Sequence, residues 1–174
     1  VDRNTLFQAA SISKAVAAMA ALKLVEEGKI DLDKNVNTYL KGRQVEDNEF
    51  TAEEKVTLRR ILSHSAGLTV HGFGGYSRTD TVPGIIDILN GEGKANSGKI
   101  YPDVVPGTIY RYSGGGYTVM QKMLCDITGE EFPDIMDELV LSKIGMTSST
   151  YRQPLPDEKI GVEALGYRQD GSPI

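Results

Sequence analysis

The longest apolar run in the chain lies within residues 11–27, where alanine, valine, methionine and leucine follow one another with few interruptions. An apolar pattern that covers all sides of a helix is typical of a buried helix. The length of the run and its scarcity of β-branched residues favour a helix over a strand. Gly28 follows at the position where a glycine commonly ends a helix. The pattern therefore predicts a buried helix that begins at Ser11.

Shorter segments with start or stop signals predict further helices. The first opens with Thr-Ala-Glu-Glu, a capping box, and the last has a proline in its first turn. A glycine closely follows each of the other two, as at many helix ends. These predicted helices cover residues 51–62, 83–89, 117–127 and 133–141. A strand with a turn is predicted at residues 162–171, so helices dominate and clear alternating strands are few.

Composition narrows the class of protein. The 174 residues suit one domain, and a hydrophobic share of 40% is enough for a packed core. The net charge of -5 argues against a nucleic-acid-binding surface, which normally needs a basic face. The single cysteine, Cys125, excludes an internal disulfide, and its apolar neighbours predict a buried structural thiol.

The sequence also carries little that would direct it to a membrane. No apolar run reaches the roughly 18 residues that a membrane span requires, so no span is expected. The chain opens without a methionine or a segment typical of a signal peptide. We therefore expect it to be a processed or excised piece of a larger protein.

Ser11 and Lys14 form the sharpest chemical feature, because they stand three residues apart at the start of an apolar helix. Side chains at this spacing lie on one face of a helix, whereas Ser13 points to another. The helix N-terminus adds unpaired N–H groups and the positive end of the dipole. Burial favours the neutral form of a lysine, and a neutral lysine beside a serine can act as its general base. The pair predicts a serine nucleophile, although a capping serine and a surface lysine would share this spacing.

Five segments resemble, in the same order along the chain, the motifs of class C-like serine β-lactamases, penicillin-binding proteins, DD-peptidases and related esterases. FQAASISK and LVEEGKIDLD are similar to the nucleophile helix of that family and the segment after it. LRRILSHSAGL is similar to a helix that ends in a histidine-containing turn, YRYSGGGY to a Tyr-x-Asn element, and GMTSST to a Leu-Gly-Met stretch. The segments lie at residues 7–14, 24–33, 58–68, 110–117 and 145–150. Together they span nearly the whole chain, and the chain is identified as a member of this family.

The resemblance implies an α+β fold of the β-lactamase/DD-peptidase type, with an antiparallel sheet, a helical subdomain and the site between them. The chain is then a single partial domain over residues 1–174, mostly the helical subdomain with few strands. The flanking sheet strands and the third motif, Lys-Thr-Gly or His-x-Gly, are not found in the sequence. In the family, the strand with that motif supplies half of the oxyanion hole, so we expect the isolated chain to be a poor catalyst. The remainder of the parent chain is therefore an expected partner.

The resemblance also assigns roles to three residues of the fourth segment. Tyr112 is implied to lie near Ser11 and to share proton transfer with Lys14. Ser113 and Gly114 are implied to contact the substrate. Gly114 stands where the family usually has an asparagine that binds an acylamino group, and glycine cannot make that bond. Simpler ester or amide substrates are therefore favoured over penicillins and peptides. The run of glycines also allows the backbone to approach the site closely.

The expected activity is that of a serine hydrolase. Ser11 would attack a small-molecule or peptide substrate with an ester or amide carbonyl, D-amino-acid peptides and β-lactams included, and water would release the acyl group. The alternative is a non-catalytic penicillin-binding or sensor protein on the same scaffold, which would be acylated without turnover or bind without reacting. A periplasmic or secreted location is implied by the resemblance.

Neither a cofactor nor a metal is expected. Two histidines and one cysteine, scattered along the chain, do not supply the spaced ligands of a zinc site. His64 and His71 are interpreted as structural residues, because no matched Ser-His-Asp context accompanies them.

Overall fold

The computed structural model describes residues 1–77 and 80–172. The chain divides into two compact units, one formed by Val1–Ala20 with the residues from Glu131 onward, the other by Ala21–Glu130. In the described part, the α-helices are α1 Ser13–Glu26, α2 Leu58–Leu62, α3 Ile85–Asn90, α4 Gly114–Thr128 and α5 Phe132–Met136. Short 3-10 turns lie at Ala10–Ile12, Val36–Thr38, Glu49–Thr51 and Asp157–Lys159, and a π-helical turn lies at Asp137–Leu141.

The helix predicted over residues 11–27 forms as α1, but its start differs from the prediction. Ser11 lies in the 3-10 turn Ala10–Ile12, and α-helical geometry begins at Ser13. The predicted stop is confirmed, because Gly28 adopts a left-handed φ of 71° and closes a Schellman motif. The two bonds of the motif run from the N–H groups of Gly28 and Lys29 to the carbonyls of Val25 and Leu24, over 2.9 Å each.

Burial along α1 corrects the prediction of a helix that is buried on all sides. Its buried residues are Ala17, Ala20, Ala21 and Leu24, none more than 5% exposed. In contrast, Ile12, Met19 and Leu22 are 74%, 45% and 46% exposed. Together with the exposed Ala15 they recur every three or four positions and form one apolar surface, the exposed stripe. An apolar pattern indicates which residues favour burial, but it does not show whether the same chain supplies the cover.

In the second unit, α4 packs against α2 and α3. The buried side chains of α4 recur at helical spacing and include Val119, Met120, Met123 and Leu124. The partner helices contribute Leu58, Ile61 and Leu89. Each fully buried side chain of this kind stabilises the fold by about 1.5–3 kcal/mol. Cys125 is only partly buried, so the prediction of a buried thiol holds only in part.

The start of α2 also differs from the prediction, which placed it at Thr51. Thr51 instead forms a capping box with Asn48 around a 3-10 turn. Thr57 is the N-cap of α2, and its hydroxyl accepts a hydrogen bond from the N–H of Arg60 at 3.3 Å. Both threonines satisfy the capping rule, so the local sequence does not show which of them begins the α-helix.

The remaining predicted helices form close to their expected positions. Gly91 and Gly129 have left-handed φ values of 66° and 79° and end α3 and α4 as predicted. α4 begins at Gly114, earlier than the predicted Tyr117, so the run of glycines forms its first turn. The helix predicted over residues 133–141 is divided between α5 and the π-helical turn that follows it.

The strand predicted at residues 162–171 does not form, and isolated bridge residues stand in its place, at Glu163 and Tyr167. Leu6 and Glu163 pair in parallel. The N–H of Leu6 donates to Val162 at 2.9 Å, and its carbonyl accepts from Ala164 at 2.7 Å. Two other isolated bridges, Asn35–Thr57 and Leu68–Pro102, occur within residues 1–77 and 80–172, which contain no strand. A strand requires a neighbour that pairs along its length, and here only isolated residues pair.

Candidate active site

The predicted contact between Ser11 and Lys14 is present in the structure. The Nζ of Lys14 donates a hydrogen bond to the Oγ of Ser11 at 3.0 Å. Ser11 lies in a 3-10 turn and Lys14 in the first turn of α1, and residues three apart share one face in both geometries. Ser11 is exposed and Lys14 is partly buried. The arrangement keeps Ser11 at the surface while it holds the lysine amine within proton-transfer distance of Ser11 Oγ.

The residue before Ser11 has a strained backbone. Ala10 has a φ of 45°, in the left-handed region that residues with a Cβ seldom adopt. Such a conformation costs roughly 1–2 kcal/mol. Strain of this kind often accompanies functional sites, where the surrounding structure holds a side chain in position. Here it turns the chain into the 3-10 helix that carries Ser11.

Tyr151 contacts the start of α1 within the same unit. Its hydroxyl donates to the carbonyl of Ser13 at 2.7 Å, and its ring packs edge-on against Phe132. Burial disfavours the phenolate and raises the pKa of Tyr151 to about 12. Tyr151 therefore remains a neutral donor that anchors the first turn of α1. No pattern in the sequence marks this tyrosine, so its contact was not predicted.

Tyr112 lies in the second unit, where two histidines contact it. Its ring stacks on the imidazole of His64, with centroids 4.2 Å apart and planes inclined by 30°. Its carbonyl lies 2.7 Å from Nδ1 of His71, so that ring N–H donates to it. Tyr117 also packs against His64, with ring centroids 5.4 Å apart. Burial raises the pKa of Tyr117, and a charge on the nearby Tyr112 would raise it further.

The structural interpretation of His64 and His71 agrees with these contacts. The Nδ1 of His64 accepts a hydrogen bond from the N–H of Ser113 at 3.2 Å, and its carbonyl accepts from the N–H of Arg111 at 2.7 Å. Both histidines thus bind the backbone of the segment around Tyr112. The sequence did not predict that two residues seven positions apart would act on one tyrosine.

Ser113 was predicted to contact substrate, but its side chain is 4% exposed and has a capping role. Its hydroxyl accepts from the N–H of Gly116 at 2.9 Å and donates to the carbonyl of Thr69 at 2.8 Å. The hydroxyl is therefore the N-cap of α4. Because both bonds are internal, the predicted substrate contact of this side chain has no support in the structure.

The glycines at the start of α4 lie against the loop that carries His71. A Cβ on Gly114 would lie 3.2 Å from both the carbonyl oxygen of His71 and the ring of Phe73. A Cβ on Gly115 would lie only 2.8 Å from the carbonyl oxygen of Thr69. The glycine run thus allows the start of α4 to lie close to this loop, and its predicted close approach to the site stays a prediction. An asparagine at Gly114 would require the His71 carbonyl and the Phe73 ring to shift by a few tenths of an ångström.

The predicted site residues therefore form two groups. Ser11 and Lys14 belong to the first unit, and Tyr112, Ser113 and Gly114 belong to the second. Proton transfer that involves Tyr112 and the Ser11–Lys14 pair stays a prediction.

Metal-binding clusters and membrane spans are both absent from the described part of the chain. Over residues 1–77 and 80–172, no three His, Cys, Asp or Glu side chains cluster as a metal site would require. In the same ranges, no helix has both the length and the hydropathy needed to cross a membrane.

Comparison with known proteins places this geometry in a family. Residues 1–172 match the sequence profile of the family described as Beta-lactamase. Penicillin-binding protein 4 of Amycolatopsis lactamdurans is 26% identical over 166 residues, which cover 92% of this chain and 39% of that protein.

Solved structures show the same fold. The β-lactamase/D-alanine carboxypeptidase of Yersinia pestis, complexed with citrate, has a TM-score of 0.74 at 20% identity, covering 95% of this chain and 45% of that one. The D-alanine carboxypeptidase AmpC of Burkholderia cenocepacia has a TM-score of 0.69 at 25% identity, covering 100% of this chain and 43% of that one.

The chain spans less than half the length of the curated relatives that it matches. The described residues form helices and isolated β-bridges but no strand. They correspond to the helical part of the fold that these structures share. The predicted α+β fold of the β-lactamase/DD-peptidase type is therefore confirmed. With a family profile matched over nearly its whole length, the chain belongs to the β-lactamase family.

Proposed function

We propose that the full-length protein is a serine hydrolase that forms an acyl-enzyme on Ser11. The observation that carries this proposal is the 3.0 Å separation between Lys14 Nζ and Ser11 Oγ in a member of the β-lactamase family. A proton can pass directly between two groups at this distance. Because Ser11 is exposed, a carbonyl substrate can reach its oxygen.

In the proposed reaction, Ser11 Oγ attacks the carbonyl carbon while its proton passes to the Nζ of Lys14. Tyr112, assigned by family resemblance, relays a proton to the departing alcohol or amine. Water then attacks the ester formed on Ser11 and gives up its proton to Lys14. That proton returns to Ser11 Oγ as its bond to the acyl carbon breaks and the acid leaves. Positioned proton transfer of this kind contributes about 10²–10⁴ in rate.

The proposed substrates are small esters or amides, a class that includes D-amino-acid peptides and β-lactams. The relatives named as penicillin-binding proteins and D-alanine carboxypeptidases support this class. Gly114 favours substrates without an acylamino group, because it offers no side-chain amide and the adjacent loop leaves little room for one. A periplasmic or secreted location remains a proposal from the family resemblance.

The decisive experiment is covalent labelling of the full-length protein with a fluorophosphonate, followed by intact-mass and peptide mass spectrometry. We expect one label per chain, on Ser11, and no label on the Ser11→Ala variant. Ser13→Ala is the matched control, because Ser13 is close in sequence and its contact with Tyr151 uses the carbonyl. It should be labelled at the wild-type rate. Labelling at another residue, or none, would contradict the proposal.

Turnover of a p-nitrophenyl ester distinguishes the hydrolase from the alternative role. A hydrolase should show a burst of p-nitrophenol and then a steady rate. A non-catalytic penicillin-binding or sensor protein should be labelled at Ser11 and then release at most one equivalent.

A further inference from the structure

We infer that His64 is a positioning residue for Tyr112, which it holds through contacts to three consecutive residues. The inference rests on the proposed role of Tyr112 in proton transfer. It adds a residue that touches no reacting atom but determines where the phenol points.

The contacts of His64 follow the chain from Arg111 to Ser113. Its carbonyl accepts from the N–H of Arg111 at 2.7 Å, and its Nδ1 accepts from the N–H of Ser113 at 3.2 Å. Between these two bonds, the imidazole stacks on the ring of Tyr112 at 4.2 Å. The two bonds restrain the backbone on either side of Tyr112, and the stack restrains its side-chain torsions. A phenol held in this way loses little conformational entropy when it reacts.

The backbone of His64 supports a specific role. Its φ of 54° lies in the left-handed region, which disfavours most residues that carry a Cβ. Glycine or asparagine would adopt this turn at lower cost. Glycine, however, would provide neither the ring nor the Nδ1 acceptor, and asparagine would provide only the acceptor. The turn therefore carries the one residue type that offers an acceptor at the δ position and an aromatic face together.

The two contacts of the side chain can be separated by substitution. His64→Asn places Oδ1 where Nδ1 stands, so it keeps an acceptor for Ser113 and favours a left-handed backbone. His64→Phe keeps a ring that can stack on Tyr112 but removes the acceptor. His64→Ala removes both contacts.

The test measures the acylation rate of the full-length protein with a p-nitrophenyl ester. Each His64 variant is made with Tyr112 present and in the Tyr112→Phe background. With Tyr112 present, His64→Ala should lower the acylation rate by about 10²-fold, the typical effect of a displaced catalytic group. His64→Asn and His64→Phe should each recover part of this loss. In the Tyr112→Phe background, the same changes should alter the rate less than about 3-fold, because coupled residues are non-additive.

Tyr110→Phe is the matched control. Its ring lies edge-on to that of His64, with ring centroids 6.0 Å apart, and Tyr110 is 72% exposed. Tyr110→Phe should leave the acylation rate unchanged, both with Tyr112 present and in the Tyr112→Phe background. Circular dichroism of every variant identifies any that fails to fold. If His64→Ala does not fold, the acylation rates of His64→Asn and His64→Phe are compared with wild type instead.

Equal losses in the Tyr112 and Tyr112→Phe backgrounds would show that His64 acts only through overall stability, which would overturn the inference. An unchanged rate for Tyr112→Phe alone would refute the proposed role of Tyr112, and the inference with it. Loss of labelling specificity for Ser11 would refute the proposed function itself. These three failures are distinguishable, because each appears in a different variant.

Discussion

Lys14 Nζ lies 3.0 Å from Ser11 Oγ across the junction between the 3-10 turn Ala10–Ile12 and α1. This junction gives the pair two properties that a uniform helix interior would not. Ser11 is exposed to solvent, and the residue before it, Ala10, has a strained φ of 45°. The lysine enters the first turn of the helix and is partly buried. The proposed nucleophile is therefore exposed and its proposed base partly buried, although a hydrogen bond joins their polar atoms.

The proposed base at Lys14 is tested by Lys14→Arg. This change keeps a long basic side chain with hydrogen-bond donors, but a guanidinium stays protonated in proteins and cannot accept the proton of Ser11. We expect the acylation rate of the full-length protein to fall by about 10²–10⁴, as for loss of a general base. Lys23→Arg is the control, because Lys23 lies on the same helix and pairs at the surface with Glu26 at 2.7 Å. A Lys14→Arg rate equal to wild type would exclude Lys14 as the base.

The proposed proton relay at Tyr112 is tested by Tyr112→Phe, which keeps the stacked ring and removes the hydroxyl. Acylation should slow by about 10²–10⁴ while the free energy of unfolding changes little. Stopped-flow release of p-nitrophenol measures the first quantity, and urea unfolding measures the second. Tyr117→Phe is the comparison, because the Tyr117 ring also packs against His64, and this variant should retain most activity. If the two variants lose equal activity, the relay is not specific to Tyr112.

The space at Gly114 predicts that the asparagine common in the family cannot simply be restored. A Cβ at this position would lie 3.2 Å from a backbone oxygen and from the ring of Phe73. Gly114→Asn should therefore lower the free energy of unfolding by about 1–3 kcal/mol, as overpacking does. Gly98→Asn is the control, because a Cβ on Gly98 would meet no other atom within 4 Å. The urea concentration at the midpoint of unfolding is measured for both variants. A Gly114→Asn midpoint equal to that of Gly98→Asn would contradict the prediction.

How far the sequence predicts the fold is clear from its glycines. Gly28, Gly91 and Gly129 all end helices with left-handed backbone, as their positions predicted. A helix stop is a local requirement of φ, so a single residue can signal it. The start of α2 was misplaced, because two threonines of equal capping quality compete there, Thr51 and Thr57.

The candidate site shows the same division between local and long-range information. The Ser11–Lys14 contact was predictable because it depends on a spacing of three residues in a helix. The stacking of Tyr112 on His64 joins residues far apart in the chain, and no local rule contains that contact. Likewise, the apolar run of α1 predicted a buried helix, yet burial depends on which segments lie nearby.

The contact of Tyr151 with the start of α1 predicts a change in stability with pH. The raised pKa of Tyr151, about 12, means that the folded state keeps the phenol proton at pH values where the unfolded chain, near 10, has lost it. Its contribution is thus fully present below pH 10 and is lost as pH rises toward 12. Tyr151→Phe should lower the free energy of unfolding by about 1 kcal/mol near pH 8, through loss of the bond to Ser13.

Because phenylalanine does not titrate, wild type should lose stability between pH 10 and 12 faster than Tyr151→Phe does. Urea unfolding of the full-length proteins at pH 8 and at steps from pH 9.5 to 11.5 measures this difference. Tyr110→Phe, at a ring that is 72% exposed, is the control and should leave the midpoint at pH 8 unchanged. A difference between wild type and Tyr151→Phe that stays constant up to pH 11.5 would contradict the assignment.

The exposed stripe of Ile12, Ala15, Met19 and Leu22 predicts that the isolated 174-residue chain self-associates in water. Contiguous apolar surface of this kind is uncommon on soluble monomers and promotes association. Replacing Met19 and Leu22 by lysine should increase the monomer fraction, because both side chains are nearly half exposed and point to the same helix face. Sedimentation velocity across a concentration series gives the monomer fraction directly. Lysine at Ile86 and Val82 is the control, since these residues are also apolar and exposed but lie outside the stripe. A monomeric wild-type chain at all concentrations, or an equal effect of the control pair, would show that the stripe does not drive association.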